Sequence, residues 1–208
     1  MRQPSRQALI IGFVLLVAGA YLLAVAARST RHVVDAGFWF EPVTFDTSEP
    51  MAERLGGAIT SDEMKTIASI AFSEIEGAFA GLRIAFSDRR DARFRVRVVQ
   101  ELRSAGESRA LAGLGGQGAL GFRVLVINAI LHAPADADRP AIIAGIGRGI
   151  GRAAVHEFTH QLLGGTARIH DTKDIGSYEY GSADRREQYY GPMHWDIAWP
   201  MLQERIGP

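Results

Sequence analysis

His156, Glu157 and His160 form an H-E-x-x-H sequence, His156-Glu157-Phe158-Thr159-His160. In a helix, positions i and i+4 lie one above the other on the same face. The spacing therefore predicts two imidazoles able to share one zinc ion. Glu157 follows the first histidine and would reach a water held by that ion. Zinc lowers the pKa of such a water to about 7, and an adjacent carboxylate can take its proton. These residue types at this spacing point to amide hydrolysis, with Glu157 as general base and then as general acid. The bland reading is a surface helix with two solvated histidines. Ala153, Ala154, Val155, Phe158, Leu162 and Leu163 flank the motif with apolar residues and predict a largely buried helix instead. Polar side chains in such a helix need partners, because burying them unpaired is costly. Gly164-Gly165 follows directly, as a helix stop does.

A catalytic zinc takes three protein ligands and keeps one open position. The third ligand must come from downstream chain that turns back, and the candidates are His170, Asp171, Asp174, Glu179 and His194. The chain has no cysteine, so cysteine ligands and a cysteine switch are excluded.

The run His156-Glu157-x-x-His160-x-x-x-Gly164 followed by His170-Asp171 resembles the metzincin clan of zinc peptidases, and the adamalysin-type His-Asp ending most. The resemblance covers residues 60–200, and its specific part is 156–171. It implies a zincin-like fold, His156, His160 and His170 as zinc ligands, and peptides or proteins as substrates. Glycine comes four residues after the second histidine where the clan has three, and His170 comes ten after it where the clan has six. A loop enlarged by Gly165-Thr166-Ala167-Arg168 can absorb the difference. Pro192-Met193-His194-Trp195 is similar to the methionine turn of astacin-like members, with Met193 in the methionine position and Trp195 where those members carry tyrosine. Tyr189 and Tyr190 are the nearest phenols that could stabilise an oxyanion, although packing beneath the C-terminal lobe is the plainer role for each. Glu179 is the alternative third ligand, since a glutamate twenty-odd residues after the first histidine resembles the gluzincin pattern. Asp171 could instead orient a ligand histidine.

The elements that must position these residues follow from periodicity. Thr60-x-x-Glu63 is a candidate capping box, and Met64, Ile67, Ala68, Ala71, Ile75 and Phe79 recur at helical spacing, predicting a helix over 61–80. Leu82–Phe86 and Arg93–Val98 alternate as strands, the arginines of the second facing solvent. Residues 104–121 are rich in glycine and read as a loop or irregular edge. Phe122–Asn128 reads as a buried central strand, and a helix begins near Pro140. Gly145, Gly147, Gly149 and Gly151 do not form a nucleotide-binding G-x-G-x-x-G and read as sites of close backbone approach. The expected class is α+β: a zincin-like domain with a mixed, twisted sheet and an active-site helix. Along that helix's sheet, an exposed edge near 113–121 would take an extended peptide by strand addition.

Ala8–Ala27 is twenty residues without a charge, long enough to span a bilayer as a helix. The expected organisation is a short tail over 1–7, a transmembrane anchor or signal segment over 8–27, a linker and lead-in over 28–58 containing the cluster Phe38-Trp39-Phe40, and a catalytic domain over 59–208. The anchor would hold the domain at the cell membrane on the extracytoplasmic side, or release it as a secreted protein if cleaved. With a net charge of zero, nothing points to nucleic acid. Two other functions fit the same residues: an inert zinc-binding module at the membrane, and a zinc hydrolase of a non-peptide envelope component.

Overall fold

Alternating side chains build a five-stranded sheet, and one long helix beneath it carries the histidines. The computed structural model describes residues 33–111, 115–164, 186–193 and 198–207. In chain order the elements are β1 (Val34–Phe40), α1 (Ala52–Leu55), α2 (Ser61–Ala78), β2 (Ile84–Ser87), β3 (Phe94–Val99), β4 (Gly106–Leu111), β5 (Gly115–Gly121), α3 (Phe122–Leu131), α4 (Arg139–Leu163), α5 (Glu187–Tyr190) and α6 (Ala198–Ile206). The strand order is β2-β1-β3-β5-β4. Every pairing is parallel except β4 with β5. The class is thus α/β, with a mixed, mostly parallel sheet packed on helices, rather than α+β: the parallel pairings require crossovers, and α1 and α2 supply the one between β1 and β2.

Four sequence expectations change. The lead-in over 28–58 is not a linker: Val34–Phe40 is an interior strand between β2 and β3, with Ala36 and Phe38 in the core. The glycine-rich stretch 104–121 contains two strands, not a loop. The edges of the sheet are β2 and β4, while β5 lies inside it between β3 and β4. Phe122–Asn128 is the start of helix α3, not a strand. Its buried residues Phe122, Leu125, Val126, Ala129 and Ile130 fall at helical spacing. An apolar run of this length reads equally well either way until Ala129 and Ile130 are counted with it.

Other expectations hold. In β3, Val96 and Val98 are fully buried while Arg97 is exposed and Arg95 half-exposed. Helix α2 opens with the full capping box: Thr60 N–H donates to Glu63 Oε2 at 2.8 Å, and Glu63 N–H donates to Thr60 Oγ1 at 3.3 Å. Helix α4 opens on Asp138, whose Oδ1 accepts from Ala141 N–H at 2.8 Å. It ends on Gly164 in the left-handed region (φ 82°), whose N–H donates to His160 O. At 25 residues α4 is about 37 Å long and runs beneath the sheet.

The four glycines of α4 serve two faces. A side chain at Gly147 or Gly151 would strike Ile67, Ile70, Ala71 or Glu74 of α2, so these glycines set the close approach of the two helices. A side chain at Gly145 or Gly149 would strike the rings of Tyr190 or Tyr189. The spacing i, i+4 on each face lets one helix seat a backbone on one side and two aromatic rings on the other.

Arg139 fastens the start of α4. Its guanidinium donates to Glu63 Oε1 at 2.6 Å and Oε2 at 2.8 Å, and to the carbonyls of Leu55 and Ala58. That hydrogen-bonded pairing holds the Glu63 carboxyl down at about 2. The unfolded chain, with an ordinary glutamate, binds that proton more readily. The pair's contribution is therefore fully present above the ordinary glutamate value and is lost as pH falls towards about 2. We expect the melting temperature of the wild type to drop more steeply between pH 5 and pH 2 than that of Glu63→Gln, as followed by circular dichroism. Parallel curves would mean that the pair adds nothing.

Candidate metal centre

The sequence of α4 assigns each face of the motif a different neighbour. Phe158 points into the core, with its ring 5.2 Å from Phe86 and 6.4 Å from Phe79, both edge-on. Two residues from His156 along a helix is about 200° of rotation, so anchoring Phe158 turns His156 away from the core. Gln161 faces the sheet. Its Nε2 donates to Arg95 O at 3.1 Å and its Oε1 accepts from Arg95 N–H at 3.2 Å, much as a neighbouring strand would bond. The side chain fits because Gly116 opposite has no Cβ. Thr159, fully buried, donates its hydroxyl to Val155 O at 2.8 Å.

His156 and His160, both partly exposed, converge. Their Nε2 atoms are 3.0 Å apart, and the rings meet edge-on with centroids 4.6 Å apart. Two nitrogens bound about 2.0–2.1 Å from one tetrahedral zinc stand about 3.4 Å apart. A small rotation of either ring closes the difference, so this donor pair fits a shared zinc ion.

Glu157 shares the sheet-facing side of the helix with Gln161 and is buried at 4% exposure. Its carboxylate lies against Gly106, the first residue of β4; a Cβ there would collide with Glu157 Oε1 and with Leu120. Gly106 was not a sequence candidate. The only signal was its place in a glycine-rich stretch, whose contact with the motif is visible only once the strands are paired.

The other candidates divide. Tyr190 donates its hydroxyl to Ala129 O at 2.7 Å, and burial pushes its phenol up to about 12, so it stays neutral. Tyr189 is buried on Gly149. Gly149 precedes His156 by seven residues, about 10 Å along the axis. Both tyrosines pack against glycines of α4, Tyr189 on Gly149 and Tyr190 on Gly145. Met193 is half-buried, three residues beyond α5. His170, Asp171, Asp174, Glu179 and His194 lie outside the described residues, as does the apolar segment 8–27. Among the described residues, no third histidine or carboxylate joins the pair in a metal-binding group.

Two arginines of α4 hold the short helix α5. Arg152, buried at 7% exposure, donates from Nε to Glu74 Oε2 at 3.0 Å and from Nη1 to the carbonyls of Glu187 and Gln188 at 2.7 and 3.1 Å. Arg148 Nε donates to Tyr189 O at 2.8 Å. Segment 187–190 is thus fixed to the same helix that carries the histidines.

A cavity of about 710 Å³ lies away from this site. It lies on the opposite sheet face, between Trp39, Arg95, Arg97 and Gln117. Arg97 there pairs with Glu41 at 3.0 Å, and Arg95 bonds Gln117 at 3.3 Å. Its open, mixed-charge lining lacks the convergent chemistry found along α4.

No protein family, curated protein or solved structure matches the chain.

Proposed function

We propose that this chain is a zinc-dependent endopeptidase of zincin-like architecture. His156 and His160 are two of its metal ligands, and Glu157 is its general base and acid. The observation that carries the reading is the 3.0 Å approach of the two Nε2 atoms beside the buried Glu157 carboxylate. Zinc bound there supplies Lewis acidity, which acidifies water and polarises a carbonyl. Glu157, one residue from His156 and lodged beneath β4, is placed to accept a proton from water at its carboxylate and return it to the leaving amine. Edge strand β4 gives the backbone of an extended substrate a partner. His170 completes the ligand set, with Glu179 as the alternative. Residues 8–27 anchor the chain in the membrane, with the domain on the extracytoplasmic side.

The test is the zinc stoichiometry of the full chain in detergent, with His156→Ala, His160→Ala, His170→Ala and Glu179→Ala beside the wild type. One tightly bound zinc per chain, lost in the first two variants and sharply weakened in the third, is the expected result. Loss with Glu179→Ala in place of His170→Ala transfers the third position. A wild type that binds no zinc overturns the reading.

Gly106 supplies a second check. The Cβ of Gly106→Val would strike Glu157 and Leu120, and neither histidine supplies one of the three atoms nearest to it. We expect kcat/KM on a peptide substrate to fall about 100-fold, the scale of a misplacement near 1 Å, with zinc content unchanged.

A further inference from the structure

A second cavity, of about 410 Å³, is bordered by Tyr189, which packs against α4. Its walls come from the β3–β4 link, from α3 and from α5. Ala105 on one side is the neighbour of Gly106, which touches Glu157. Tyr189 on the other rests on Gly149, two helical turns before His156 on the same face. The cavity therefore adjoins the metal centre on the side of the helix N-terminus.

The lining has one chemical character. Val124, Leu125, Ala105 and Tyr189 form apolar walls, and the polar groups at the rim are Arg103, Ser104, Asn128, His132 and Gln188. Asn128 and His132 lie one turn apart on α3 and its C-cap, and the His132 ring runs nearly parallel to Tyr189, at 11°. Ser104 donates its hydroxyl to Gly106 O at 2.9 Å, which ties this wall to the start of β4. Among the described residues that line it there is no carboxylate, and Arg103 carries the one formal charge. Amide and imidazole N–H groups beside a guanidinium suit a carboxylate, which accepts hydrogen bonds and balances the charge.

We infer that this cavity receives a carboxylate of the substrate and sets its specificity. The inference rests on the peptidase reading above. Arg103 is the charged contact, and Asn128, His132 and Gln188 are hydrogen-bonding contacts. Gly149, on which the cavity's Tyr189 rests, is about 10 Å from His156 along the helix, and an extended peptide rises about 3.3 Å per residue. The carboxylate is therefore two to three residues from the cleaved bond. Its source is an internal Asp or Glu side chain or the peptide's own C-terminus.

The experiment uses full-length Glu157→Gln in detergent, loaded with zinc, and fluorescent random octapeptide pools. One pool carries Glu at a fixed position, a second carries Gln there, and each is made with a free and with an amidated C-terminus. Binding is read by anisotropy, with and without Arg103→Gln. Arg103 is exposed, so its replacement leaves the fold intact. In parallel, the wild type and Arg103→Gln digest the same pools, and products are read by mass spectrometry. The expected result is binding at least tenfold tighter for the carboxylate-bearing pool, abolished by Arg103→Gln, and cleavage two to three residues from the acid. Dependence on Glu assigns a side chain, and dependence on the free terminus assigns the C-terminus. Arg103→Glu should shift the preference to a pool carrying Lys. Cleavage without an acid preference, or with one that Arg103→Gln leaves intact, overturns the inference and leaves the peptidase reading standing. Arg103-dependent acid binding without cleavage by zinc-loaded wild type supports the cavity and overturns the peptidase reading. Neither binding preference nor cleavage overturns both.

Discussion

Glu157→Gln is expected to cut peptide turnover by about 100- to 10,000-fold, the usual share of a general base, while leaving zinc content unchanged. Three features make the substitution selective. The amide has the size and shape of the carboxylate, so the clearance over Gly106 suits both. Glu157 is a neighbour of the ligand pair and not a member of it: the converging atoms are the two histidine Nε2 nitrogens. An amide also cannot take a proton from water at neutral pH, so the variant loses the proton transfer and keeps the scaffold. The measurement pairs metal analysis with kcat/KM on the peptide pool that the wild type cleaves best. Full turnover with Gln at 157 would leave the histidine pair as a binding centre and remove the catalytic role from this helix. Loss of zinc together with turnover would instead make Glu157 a structural support of the pair.

The motif was legible in sequence because its geometry is local. Four residues of helix bring His156 and His160 together, and the apolar residues on both sides, with Gly164 after them, mark the helix and its end. The capping box at Thr60 and the alternation along β3 are local in the same sense. What the sequence concealed depends on partners far along the chain. Residues 115–121 have none of the β-branched and aromatic side chains that mark a strand. The sheet needs small residues at some of these positions: Gly116 leaves room for Gln161, which reaches across to Arg95. A strand selected for close approach to a helix thus reads as a loop. The error at Phe122–Asn128 is the converse: a helix buried against α4 is apolar enough to pass for a central strand. Val34–Phe40 reads as part of a linker with an aromatic cluster, although its alternation of Phe38 and Phe40 on one face and Trp39 on the other is that of a sheet strand. At the site itself, the histidines and Glu157 were legible, but Gly106 and the arginines that hold segment 187–190 were not. An arginine within a run of glycine and alanine carries no local sign that it is buried.

Arg152→Met should destabilise the fold strongly. Arg152 meets three acceptors from two elements: Glu74 of α2 and the carbonyls of Glu187 and Gln188. It is 7% exposed, and its partner Glu74 side chain is 20% exposed. Removing the cation leaves a carboxylate and two carbonyls facing an apolar chain. Breaking one side of a buried ion pair costs about 3–5 kcal/mol. For a chain of this size that lowers the melting temperature by roughly 6–20 °C, at about 2–4 °C per kcal/mol. The double variant Glu74→Leu with Arg152→Met should recover part of the loss, because two apolar side chains replace the pair without a stranded charge. It should not recover the anchorage of 187–190, which depends on the guanidinium. Hydrogen exchange at Gln188–Tyr190 should therefore speed up in both variants, while global stability separates them. A double variant as unstable as the single one would assign the loss to the two carbonyls rather than to Glu74. Unchanged exchange at 188–190 would show that the contacts of Tyr189 with Gly149 and of Tyr190 with Ala129 hold this segment without Arg152.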